Sequence, residues 1–132
     1  MKKMLSSGLL GMGLALYASV AMAGPVADAT KASLTEAREK LVTLLSITDK
    51  AAQTKQVEEV QAASAKVDAL VGKNADALKA FNEVWTAFKT TRDSELIPNV
   101  LAGKKDEAKA LATGVQAGRF KQMQEILAAV TQ

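Results

Sequence analysis

Histidine, cysteine, closely paired carboxylates, or a cation set against an apolar wall would be the groups to look for first in this sequence. The 132 residues contain no His and no Cys. That removes the usual ligands of zinc, copper, haem iron and iron–sulfur clusters. It equally removes the Ser-His and Cys-His routes to an activated nucleophile. Met123 alone cannot hold a haem without a second axial partner. Glu58 and Glu59 are adjacent, and successive residues of a helix point in different directions, so they read as a solvated face rather than an acid–base pair. The expectation is no catalysis, no metal and no cofactor.

The cations are more informative. Leu78, Phe81, Trp85 and Phe88 follow one another in steps of 3, 4 and 3 along one helical face. The next step lands on Arg92, where the pattern asks for an apolar side chain. One reading lays its alkyl stem over the edge of the core, with the guanidinium in water or paired with a carboxylate such as Glu95. The other makes Arg92 a fixed cation for an anionic ligand, with Trp85 and Phe88 as an apolar wall and Arg119 as a second donor from the facing helix. Gly114 and Gly118 lie one turn apart on that facing helix, and each costs about 1 kcal/mol relative to Ala there. Close approach of a ring such as Trp85 or Phe88 would offset the cost, and so would a dent that admits a ligand.

These residues need helices to position them. Beyond residue 23, Pro occurs only at 25 and 98, and Gly only at 24, 72, 103, 114 and 118. Ala, Lys, Glu, Gln and Leu fill the rest, a composition that favours helix, and no window alternates with the period of two that a strand requires. Four amphipathic stripes emerge. The first is Leu34, Ala37, Leu41, Leu44 and Leu45. The second is Val57, Val60, Ser64, Val67 and Val71. The third is the aromatic stripe. The fourth begins with Ala108, Leu111 and Val115, then shifts phase to Met123, Ile126 and Val130. Breaks fall at Thr48-Asp49-Lys50, at Gly72-Lys73-Asn74 and at Gly103 to Glu107. Four helices of roughly 20–28 residues with short connections must alternate in direction, which predicts an all-α, antiparallel up-and-down four-helix bundle. A third helix running from Asn74 to Ala102 should kink at Pro98; the alternative is that it stops near Glu95 and a short turn follows. The core should include Leu41, Leu45, Val60, Val67, Leu78, Phe81, Trp85, Phe88, Leu111, Val115 and Ile126.

Residues 1–23 have the three parts of a signal peptide in order: Lys2-Lys3, an uncharged apolar run from Leu5 to Val20, and small residues at Ala21 and Ala23 before Gly24. Cleavage there would leave residues 24–132 as one domain in the periplasm, with no membrane attachment. Of 17 basic side chains two are Lys2 and Lys3, leaving 15 against 14 acidic and a net charge of +1 rather than +3. No segment of the remainder concentrates Lys and Arg with aromatics, which argues against nucleic acid as a partner.

The segment Phe81-Asn82-Glu83-Val84-Trp85-Thr86-Ala87-Phe88-Lys89-Thr90-Thr91-Arg92-Asp93, followed by Leu101-Ala102-Gly103-Lys104-Lys105-Asp106-Glu107-Ala108, resembles the four-helix-bundle ligand-binding domain of methyl-accepting chemotaxis receptors. The resemblance covers residues 76–130, and residues 30–70 in pattern. It implies a sensor-type bundle, here free-standing and exported, that binds a small ligand, an anion being one option, or a partner protein; a homodimer is left open. Two alternatives stay open: a haemless relative of the small periplasmic four-helix-bundle cytochromes, which share size, export signal and topology, and a small periplasmic chaperone or stress protein, whose Leu-Thr-x-x-Gln repeats do not occur here.

Overall fold

The computed structural model describes residues 24–130, so the proposed signal peptide lies outside the described residues. The chain is all-α, with no strand among the described residues. Helix α1 spans Pro25–Leu45 and α2 spans Lys50–Lys73; α3 is Lys79–Thr91, α4 Ile97–Leu101, α5 Lys105–Thr113 and α6 Val115–Ala128. A π-helical turn, Arg92–Leu96, joins α3 to α4 without a break. No helix among the described residues is long and apolar enough to cross a membrane.

Local chemistry sets the boundaries. Pro25 opens α1, where its fixed φ suits a helix start and its missing N–H is not needed. Asp49 caps α2, its carboxylate accepting from the Ala52 N–H at 2.8 Å. Helix α2 stops at Lys73, and the Asn74 side-chain amide donates to the Leu70 carbonyl at 2.9 Å. The third helix starts at Lys79 rather than at Asn74, because residues 74–78 form a turn that carries Leu78 into the core. Gly103, at φ +79°, supplies the left-handed residue that ends α4.

Cross-helix bonds fix the relative directions. Lys40 pairs with Glu59 at 3.0 Å and Lys66 with Glu36 at 3.1 Å, so α1 and α2 run antiparallel. These exposed pairs record register more than they add stability. Two buried glutamines of α2 reinforce the same contact: Gln53 donates to the Ile47 carbonyl at 2.9 Å and Gln56 to the Lys40 carbonyl at 2.8 Å. Antiparallel contacts also join α2 to α3, through Asp68 with Trp85 and Ser64 with Arg92. The Gln116 amide donates to the Phe88 carbonyl at 2.8 Å and links α6 to α3. Gly24 N–H reaches the Val130 carbonyl at 3.4 Å, where α1 meets the chain beyond α6.

The core follows all four stripes except at Val115, with Ala108 and Met123 of the fourth buried. Leu34, Ala37, Leu41 and Leu44 are buried on α1, Val60, Ser64 and Val67 on α2, and Leu78, Phe81, Trp85 and Phe88 on the third rod. Leu45, Leu111 and Ile126 are half-buried against this cluster. Val115 is the correction: it is exposed. The fourth rod is two helices, because Gly114 breaks it, and the burial phase restarts beyond the break. The inward face of α6 is Gln116, half-buried Phe120, Met123 and Leu127, in steps of 4, 3 and 4. A stripe counted from Val115 misses it by one position.

Neither glycine is approached by an aromatic ring. A Cβ on Gly114 would stand 2.8 Å from the Ala110 carbonyl oxygen, whereas one on Gly118 would meet nothing within 4 Å. Gly118→Ala should therefore stabilise the protein by about 0.5–1 kcal/mol through helix propensity and lost unfolded-chain entropy. Gly114→Ala should destabilise it. Paired thermal melts in which the two substitutions move stability in the same direction would contradict this assignment.

Pro98 does not end the third rod. In a regular α-helix its ring would press on the Ser94 carbonyl. The wider π-turn takes up the conflict, with the Ile97 N–H bonding back to the Arg92 carbonyl. Leu96, Ile97 and Val100 stay buried beyond it.

Candidate functional site

Trp85 is 0% exposed and sits between Phe81 and Phe88, with ring centroids 6.3 and 5.7 Å away and nearly parallel planes. Its indole N–H, which burial would otherwise strand, donates to Asp68 Oδ1 at 2.8 Å. Lys89 Nζ reaches the same oxygen at 2.7 Å and stands 5.5 Å over the indole ring. Partial burial pushes the Asp68 carboxyl up, but hydrogen bonds from Lys89 and Trp85, with the charges of Lys89 and Arg92, hold it below the ordinary carboxylate value. A folded-state value below the unfolded one stabilises the fold above the unfolded pKa, and this contribution is lost as pH falls through the folded pKa. Half-exposure of the pair with Lys89 limits its size. Melts from about pH 6 to about pH 3 should therefore fall less steeply for Asp68→Asn than for the natural protein. Parallel curves would remove Asp68 from the acid response.

Arg92 is buried, at 2% exposure, and occupies the first position of the π-turn. Its Nε and Nη2 fork onto the Asp93 carboxylate at 2.8 and 3.2 Å. Nη1 donates to Ser64 Oγ, and Nη2 reaches Gln61 Oε1 at 3.4 Å. The partner is Asp93, not Glu95, which points the rest of the turn's charge to solvent. Ser64, a small hydroxyl within the apolar stripe of α2, is what accepts the guanidinium. Arg119 belongs to another contact. Its Nη1 donates to the Thr91 hydroxyl at 2.6 Å, to the Ala87 carbonyl at 3.2 Å and to Gln116 Oε1 at 3.1 Å. Arg92 thus faces α2 while Arg119 joins α3 to α6, and the two share no partner among the described residues. Trp85, Arg92 and Arg119 each hold two helices together. No buried side-chain nitrogen or oxygen among the described residues lacks a hydrogen bond.

An open cavity lies elsewhere. A groove of about 580 Å³ runs between the second half of α1 and α5, within the range of about 300–1,000 Å³ usual for small-ligand sites. Val42, Leu45 and Ala112 give it apolar walls, while Arg38, Lys105 and Lys109 give it three cations against the single carboxylate of Asp106. The Arg38 guanidinium lies 4.6 Å over the Phe120 ring. Stacking occupies the face of the guanidinium and leaves its in-plane N–H groups free to donate. Arg38, Lys105 and Lys109 make no ion pair with any described carboxylate. Val42, 46% exposed, is one of two large apolar side chains that the fold leaves most open.

Comparison with protein-family models, with characterised proteins and with solved structures finds no match.

The chemistry of the groove can be weighed from its own residues. No group of three or more acidic side chains that could hold a metal occurs among the described residues. The groove pairs excess positive charge with an apolar floor, which suits an anion. Sequence reasoning passed over Arg38, Lys105, Lys109 and Phe120. Their signal was present but weak: Arg38, Val42 and Leu45 follow one another in steps of 4 and 3 beside the buried stripe of α1, and Lys105 and Lys109 lie one turn apart.

Proposed function

We propose that this chain is an exported, non-catalytic helical binding protein that takes a small anionic ligand in the groove between α1 and α5. The residues that resemble chemoreceptor sensor domains and the signal-peptide pattern of residues 1–23 both support a sensor-type role outside the cytoplasm. The observation that carries the reading is the groove itself, with three cations, one carboxylate and an apolar floor in a cavity of ligand size. Arg92 and Arg119 contribute by holding α2, α3 and α6 in place, since an anion at Arg92 would have to displace Asp93 from a two-point contact. Lys105 and Lys109 lie on the partly or fully exposed side of α5, so their removal should leave the fold intact. Titration calorimetry with small organic anions should show binding to the natural protein, and at least tenfold weaker binding to the Lys105→Ala/Lys109→Ala variant at low salt. Equal affinity in both proteins would place the anion elsewhere.

A further inference from the structure

We infer that the ligand of this groove is an amphipathic anion, a single anionic head on an unbranched alkyl chain. This deepens the reading above and rests on it. Arg38, Val42 and Leu45 on α1 and Ser46 just past its end lie within eight helical steps, or about 12 Å at 1.5 Å per residue. The groove is therefore long rather than round. Inorganic phosphate or acetate would satisfy the cations but leave Val42, Leu45 and Ala112 facing water. An uncharged chain would cover those walls but strand the cations, which have no described carboxylate paired with them. Only a ligand carrying both parts matches both halves of the lining. Among the described residues the core offers no unpaired polar group to a ligand, since its buried side-chain nitrogens and oxygens are all bonded internally. The cavity between Glu95, Asn99, Glu107 and Leu111 has the opposite charge.

The Arg38–Phe120 contact sharpens the assignment. The ring keeps the guanidinium from folding back onto α1, so a carboxylate can approach its edge with two parallel hydrogen bonds. Lys105 and Lys109 add charge without that geometry. Val42, exposed in the groove, is the side chain that a bound chain would cover.

The test is a homologous series (acetate, butyrate, hexanoate and octanoate) titrated by calorimetry below micelle formation, with 1-octanol as the uncharged control. Each methylene buried should tighten binding about fourfold, the equivalent of about 0.8 kcal/mol. Octanol should bind at least tenfold more weakly than octanoate. Val42→Asp, at an exposed position, should keep the melting temperature and abolish the chain-length dependence. Acetate binding as tightly as octanoate would overturn the inference and leave a simple anion site. No binding by any member would overturn the anion-binding reading as well. Sedimentation with phosphatidylglycerol vesicles, in the absence of any response to soluble octanoate, would overturn it in favour of a membrane surface.

Discussion

Phe81→Ala should cost about 3–5 kcal/mol and leave a protein with little folded structure at physiological temperature. Phe81 is fully buried and stacks on Trp85, so its removal opens a void against the largest side chain of the core. A helical domain of this size has about 5–15 kcal/mol in total. The third rod cannot easily collapse into the space, because Trp85 is tethered at its indole N–H to Asp68 and Phe88 is held at its carbonyl by Gln116. Chemical denaturation followed by circular dichroism gives the number directly. A loss below about 1 kcal/mol would mean that the aromatic stripe does not carry the core.

The second large effect runs against intuition, because the half-exposed acid should matter more than the buried base. Asp93→Ala leaves the Arg92 guanidinium buried with only the neutral Ser64 and Gln61 as partners. Breaking a buried pair in this way should cost about 3 kcal/mol, the low end of its range, because Asp93 itself is half in water. The melting temperature should drop by more than about 10 °C. Arg92→Met replaces the cation by an apolar chain of similar length, and Asp93 can then turn to solvent, so stability should stay within about 1 kcal/mol of the natural protein or rise. The double variant should recover most of what Asp93→Ala alone loses, giving a large coupling term in the cycle. Additive losses would show that the two side chains act separately.

What was legible in the sequence was whatever periodicity alone determines. The stripes on α1, α2 and α3 could be read because each helix keeps one phase from end to end. The fourth could be read except at Val115, because Gly114 resets the phase there, and a glycine in a helical pattern does not announce whether it is tolerated or breaks the helix. Arg92 stood out correctly as an anomaly in its stripe. Its partner was misjudged because a regular helix gives no reason to prefer the adjacent Asp93 over Glu95, whereas the π-turn does. The groove was least visible. It depends on how far apart α1 and α5 stand, a tertiary quantity that neither helix encodes alone.

The short helix α5 has one further consequence, for the timing of events at the groove. It is nine residues long, lies between Gly103 and Gly114, and anchors only Ala108 fully in the core. So short a helix is marginal by itself and depends on what it packs against. The opposite wall belongs to α1, which buries six residues along its length. One side of the groove is thus a fixed bank and the other a detachable one. Opening α5 costs a fraction of the free energy of global unfolding, so its amides should exchange with solvent long before those of α1. A ligand that closes the groove would slow that exchange, and the chain would register occupancy as a change in the lifetime of one helix rather than as a change of shape.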